Sequence, residues 1–231
     1  MRLFITGDLH GQLEVKRLNS KNWPLGRSLT KEDILIIAGD FGLTFFGDET
    51  ENFWLDWLEK KPWTTLFIDG NHENFPLLRS YPETELYGGP VGVLRPSVLH
   101  LKRRGHVYNI ASKKVWCFGG GYSIDKADRT PGYSWWSEEE ADNKEIAYAQ
   151  ETLENCGDVD FALTHDAPLS LLHEIYKGNL IRTRTAQFLD LACDLINTRT
   201  WYFAHHHIDA SYHHRGKYFR AFYQDIAEIP V

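Results

Sequence analysis

The chain has 231 residues, of which 42% are hydrophobic, 25% charged and 14% aromatic. That length and balance predict one large α/β domain over residues 1–231 with a full core, and exclude a disordered or low-complexity chain. A net charge of −7 repels phosphate backbones, so no strong bulk nucleic-acid binding is expected unless a local positive centre, such as bound cations, overrides it.

The opening run Phe4-Ile5-Thr6 reads as a strand and ends in Gly7-Asp8-Leu9-His10-Gly11, an Asp-x-His pair between two glycines. A carboxylate and an imidazole at a strand tip can face one cation, and glycine lets the backbone come close. Residues 13–18 have helical spacing. Ile34-Leu35-Ile36-Ile37-Ala38 is a strand run apolar on both faces, ending in Gly39-Asp40. Residues 51–60 carry Phe53, Trp54, Trp57 and Leu58 at helical spacing before Pro62. A third strand, 64–68, ends in Asp69-Gly70-Asn71-His72-Glu73. Strands alternating with helices over short connections predict a largely parallel sheet, whose ligand site lies beyond the carboxyl ends of the strands.

Residues 91–121 change to short β-rich runs and predict an antiparallel meander that begins a second sheet. Residues 122–136 form a long loop with Arg129 and end at Trp135-Trp136. Ser137 with Glu140 predicts a capping box opening a helix to about Asn155. A strand at 161–164 ends in His165-Asp166, a helix covers 185–196, and a strand at 201–204 ends in His205-His206-His207. A hairpin over 211–223 turning at Arg215-Gly216 closes the chain. There is no basic leader and no apolar stretch of membrane length, so no membrane association and a cytoplasmic location are expected. The three widely spaced cysteines, Cys117, Cys156 and Cys193, predict reduced thiols rather than a disulfide frame.

Five strands thus each end in residues that bind hard or borderline cations. Oxygen and imidazole donors without thiolates suit manganese, iron, zinc, nickel or cobalt, and the donors exceed what one ion needs, which points to two.

These blocks resemble the ordered signature of the calcineurin-like metallophosphoesterases: Asp8-Leu9-His10, Gly39-Asp40, Gly70-Asn71-His72, His165 and Ala204-His205-His206-His207. The resemblance implies an α/β sandwich of two mixed sheets flanked by helices, with the metal site at the strand carboxyl ends. It implies two divalent or transition-metal ions, manganese foremost. Asp8, His10 and His207 would hold one ion, Asp40 would bridge both, and Asn71, His165 and His205 would hold the second. His72, with Asn71, would contact the substrate phosphate and could protonate the leaving oxygen, while a metal-bridging hydroxide attacks phosphorus in line. The implied activity is hydrolysis of phosphomonoesters or phosphodiesters, with a phosphate ester such as a nucleotide or phosphoprotein as substrate.

Two departures bear on this. Ala204 replaces a glycine, a small-for-small change. The protein-phosphatase continuation Gly-Asp-x-x-Asp-Arg-Gly is replaced by Gly39-Asp40-Phe41-Gly42-Leu43-Thr44-Phe45, which counts against a serine/threonine phosphatase. A non-catalytic binding scaffold of the same fold is expected to lose ligands, and none is missing here.

Blander roles are expected elsewhere: a packed or hydrogen-bonded His206, surface positions for His213 and His214, a turn or supporting role for Asp166, and a helix start for Glu73. Arg129 is a solvated loop charge by default and otherwise the substitute phosphate-binding arginine. Trp135 and Trp136 are packing residues by default and otherwise a base-stacking pair.

Overall fold

A computed structural model describes residues 1–178 and 180–230. In chain order the strands are β1 Leu3–Thr6, β2 Ile34–Ile37, β3 Thr64–Phe67, β4 Glu83–Leu86, β5 Gly89–Arg95, β6 Val98–Leu101, β7 His106–Ile110, β8 Lys113–Phe118, β9 Phe161–Thr164, β10 Thr200–Phe203, β11 Ala210–His214, β12 Lys217–Ala221 and β13 Ile226–Ile229. The α-helices are α1 Glu49–Glu59, α2 Phe75–Ser80, α3 Asn143–Asn155, α4 Leu169–Tyr176 and α5 Arg184–Leu195.

One sheet runs β13-β1-β2-β3-β6-β5-β4 and the other β11-β12-β10-β9-β8-β7. Each has a parallel centre, β1-β2-β3-β6 and β12-β10-β9-β8, with antiparallel strands at its margins. The protein is therefore an α/β sandwich of two mixed sheets flanked by helices. The side-chain alternation of a strand explains the layers. Leu3 and Ile5 of β1 enter the core between the sheets with Ile36, Leu66, Val115 and Leu163. Phe4 points the other way, into the layer that holds Leu55 and Leu58 of α1. On the far side, Trp116, Phe118, Trp201 and Phe203 pack against α3, α4 and α5 through Ala149, Leu171, Ala186 and Leu189.

Several local expectations are corrected. Residues 13–18 are not an α-helix but parts of two 3-10 turns, Gly11–Leu13 and Val15–Leu18, because the chain must turn within a few residues of a strand tip. On α1 the buried face is Leu55 and Leu58, and Phe53 is exposed. The capping box of α3 is Asp142 with Glu145, not Ser137 with Glu140; Ser137–Glu139 forms a short 3-10 turn instead. The β-rich stretch does not begin one new sheet, since β4–β6 extend the first and β7–β8 edge the second. His213 is exposed, but His214 is buried, with Nε2 2.7 Å from Ser170 Oγ and Nδ1 2.8 Å from Glu174 Oε1. The helix under the hairpin, α4, covers it. Among the described residues no helix is long and apolar enough to cross a membrane.

Candidate metal centre

β1, β2 and β3 of one sheet and β9 and β10 of the other end at the same place, and Asp8, Asp40, Asn71, His165 and His205 stand just beyond them. Parallel strands of both sheets thus aim their carboxyl ends into one cleft. The backbone there is bent sharply: His10, Asp40, His205 and His207 have φ of 45°, 46°, 66° and 51°. Left-handed backbone costs a non-glycine residue about 1–2 kcal/mol, and such strain clusters at functional sites.

Two groupings of side chains follow. Asp8, His10 and His207 bring one donor atom each within 4.8 Å of one another, as do Asp40, His165 and His205. Asp8 Oδ2 lies 3.3 Å from His207 Nε2, and Asp40 faces both groups, its Oδ2 3.4 Å from His10 Nε2 and its Oδ1 3.5 Å from His165 Nε2. Asn71 Oδ1 is 3.0 Å from His165 Nε2. His165 Nδ1 lies 2.8 Å from the carbonyl oxygen of Ala38, so that nitrogen donates and Nε2 is left free to bind a cation. The residues fit divalent ions on a second count: Asp8 Oδ2 is buried with no hydrogen-bond partner, a state a carboxylate tolerates poorly without a cation.

Burial governs the proton affinities. It pushes Asp8 up to about 6, with the Asp40 carboxylate adding to the rise. Burial opposes ionisation of Asp40 as well, but His165 and His10 outweigh it and hold that carboxyl well below its usual range. Burial pushes His205 down to about 3, so it is neutral and ready to bind a cation. A cation must displace the proton of Asp8 and that of His10, whose pKa burial lowers but Asp40 and Asp8 hold above the usual imidazole value. Manganese affinity is therefore expected to fall as the pH drops from 7.5 to 5, by about tenfold per unit for each proton displaced. Calorimetric titrations at pH 5 and pH 7.5 check this.

Two glycines make the approach possible. A Cβ on Gly39, where φ is +101°, would stand 2.1 Å from His165 Nδ1, and one on Gly70 would stand 2.1 Å from Asp40 Oδ1. Gly70→Ala therefore displaces the Asp40 carboxylate together with its backbone, 2.2 Å away at the nitrogen, and a loss of manganese affinity of about 10–100-fold is expected together with a lower melting temperature.

His72 sits beside the groups without completing either. Its N–H donates to Asp40 Oδ1 at 2.7 Å, and burial lowers the pKa of its ring, with Arg129 also pushing it down. Arg129 is not a solvated loop charge. Its Nη2 lies 2.7 Å from His72 Nδ1, and its Nε donates to Asp125 Oδ2 at 3.0 Å. Trp136 is buried, with its ring 5.5 Å from that of Phe45, the packing role. His206 belongs to neither donor group and pairs with Asp166 on the wall of the cleft, Nε2 to Oδ1 at 2.9 Å.

Supporting residues escaped the sequence reading. Glu73 does not start a helix: it is fully buried and accepts from the N–H of Phe41 at 2.7 Å and of Gly42 at 3.4 Å, tying the third strand loop to the second. Burial raises its pKa well above the usual range, and the Asp40 charge adds to this. Tyr223 stacks on His207 with centroids 4.6 Å apart and donates to Glu14 Oε1 at 2.8 Å. Arg104 pairs with buried Asp69, two residues before Asn71, and donates to the carbonyl of Glu138 at 2.8 Å. Only the position of Glu73 directly after Asn71-His72 was a usable signal; the others come from elements far apart in sequence.

Such a cleft, built from strand-end carboxylates and imidazoles, has the donor chemistry of a metal-binding α/β protein. The calcineurin-like phosphoesterase family profile matches residues 1–209, and the chain belongs to that family. No curated protein sequence matches it. Among solved structures it is similar to a phosphopantetheinyl hydrolase (PptH) from Mycobacterium tuberculosis, at 14% identity over 96% of this chain and 90% of that one, with a TM-score of 0.48. It is also similar to a putative 5′-nucleotidase from Staphylococcus aureus solved in complex with alpha-ketoglutarate, at 12% identity and a TM-score of 0.51. That match covers 98% of this chain and 50% of the other, so the chain spans half the length of the staphylococcal protein.

Proposed function

We propose that residues 1–231 act as one hydrolase unit, a dinuclear metal-dependent phosphoesterase acting on phosphomonoesters or phosphodiesters. The observation that carries the reading is the placement of Asp40 between two donor groups, Asp8, His10 and His207 on one side and His165 and His205 on the other. In this proposal Asp8, His10 and His207 hold one ion, Asn71, His165 and His205 hold the other, and Asp40 is shared. Two divalent ions held there, with manganese as our first choice, would supply positive charge to a phosphate and would acidify a water for attack on phosphorus. Arg129 and the Asn71 amide orient the phosphate oxygens, and His72 holds or passes a proton at a ring nitrogen towards the leaving oxygen.

The test is to load the purified protein with manganese, count ions per chain by plasma mass spectrometry, and assay p-nitrophenyl phosphate and its bis ester. Two ions with turnover of at least one ester is the expected result. Two ions with no turnover of either ester would overturn catalysis.

A further inference from the structure

The substrate space around the candidate centre is divided in two. One cleft of about 690 Å3 opens from Asp40, Asn71 and His205 and is walled by Ile124, Leu172, Tyr176, Leu180 and Ile181. A second, of about 280 Å3, opens from His10 on the other side and is walled by Leu13, Phe45, Phe46 and Trp54. Among the described residues His72 is the one that lines both.

Several wall residues are strongly exposed: Leu13 at 78%, Phe46 at 69%, Ile124 at 85% and Ile181 at 55%. Other apolar side chains of the protein are exposed as well, such as Phe53 and Tyr133, but these four line clefts that meet at one polar centre, where an apolar substituent can cover them. The charges of the clefts are informative too. Among the described residues neither lining includes a lysine or an arginine. Their carboxylates are engaged: Asp125 with Arg129, Asp166 with His206, Asp48 at the N-terminus of α1, and Glu51 with the N–H groups of Phe45, Phe46 and Gly47. Arg129, the cation touching His72, is already paired with Asp125 at 2.9 Å. Besides Arg129, Lys126 is a cation close to the larger cleft, its ammonium held over the ring of Tyr122 at 4.4 Å, and among the described residues no lysine or arginine lines either cleft directly.

We propose that the substrate is a phosphodiester with two uncharged apolar or aromatic substituents, one in each cleft, and its single phosphate beside His72. This rests on the phosphoesterase reading above and narrows it. A monoester fills only one cleft and carries a further charge on its phosphate, while a polynucleotide would bring phosphates into clefts that no lysine or arginine lines directly. In the reaction, water adds to phosphorus and the bond from phosphorus to one ester oxygen breaks. That oxygen leaves with a proton as an alcohol, and the product monoester keeps the substituent in the other cleft.

The experiment compares kcat/KM of the manganese-loaded protein on bis(p-nitrophenyl) phosphate and p-nitrophenyl phosphate, in the wild type and in Phe46→Ser and Ile181→Ser, whose exposed positions make misfolding a minor risk. Calorimetry on the same proteins compares binding of diphenyl phosphate with phenylphosphonate, which has one ring and a non-hydrolysable bond. The diester is expected to be preferred by about tenfold or more, the size of effect that one buried apolar group supplies. One variant lowers turnover of both esters, as its cleft holds the leaving group, and the other lowers the diester alone. Diphenyl phosphate binds more tightly than phenylphosphonate and loses that margin in both variants. Turnover with the monoester preferred, or a diester rate within about twofold of wild type in both variants, would overturn this proposal and leave the phosphoesterase reading standing. No turnover of either ester with two ions bound would overturn both.

Discussion

Asp40→Asn lowers phosphoesterase turnover by about a thousandfold or more, as several kcal/mol of cationic stabilisation are withdrawn. Asp40 is almost fully buried at the end of β2, where its two oxygens face His10 and His165 at 3.4 and 3.5 Å. The asparagine has the same shape but no charge, so on the proposed reading the two ions would lose a shared carboxylate. Melting followed by circular dichroism separates this from misfolding. The wild type is expected to gain melting temperature on addition of manganese, through binding linkage. The variant unfolds cooperatively and loses most of that gain. A variant that keeps two tightly bound ions and wild-type turnover would remove Asp40 from the centre.

His72→Ala is expected to separate chemistry from metal binding. The backbone N–H of His72 donates to Asp40, its ring meets Arg129 and has a nitrogen within 4.8 Å of an Asp40 oxygen, and burial lowers the pKa of that ring while the Asp40 charge raises it. Loss of a positioned proton donor costs about 10²–10⁴ in kcat, with ion content unchanged because neither donor group needs this ring. The geometry offers a sharp alternative, since His10, Asp40 and His72 also bring donor atoms within 4.8 Å. If the variant lost an ion in step with its activity, His72 would be a ligand and the assignment of its role would fall. An activated ester with a good leaving group should be less affected than phenyl phosphate, since only a poor leaving group needs the proton.

The candidate ligands were legible because each stands within a few residues of a strand tip. An apolar run such as Ile34-Leu35-Ile36-Ile37 marks the strand, and the polar residue after Gly39 is at its carboxyl end by necessity. The helix expected over residues 51–60 was legible from its apolar spacing, although it begins two residues earlier, capped by Asp48, and the hairpin at Arg215-Gly216 from its turn chemistry. The box at Ser137 misled because Asp142 and Glu145 offer the same pattern five residues later, and the docking of α3 on β7 and β8 chooses between them.

Sequence alone determined the chemistry of the donors: which side chains carry oxygen or imidazole, that no thiolate joins them, and that their strands are buried on both faces. These are properties of each residue and of its immediate neighbours. The tertiary structure decided how the donors are shared and what surrounds them. Only the meeting of two sheets puts Asp8 3.3 Å from His207 Nε2, carries Arg129 from the 122–136 loop to His72, and buries Glu73 against the N–H of Phe41. It also sets Phe46 and Ile181 on opposite sides of one histidine. Residues tens to hundreds of positions apart meet there through the packing of whole sheets and helices, and no local pattern of a sequence records which of them will touch.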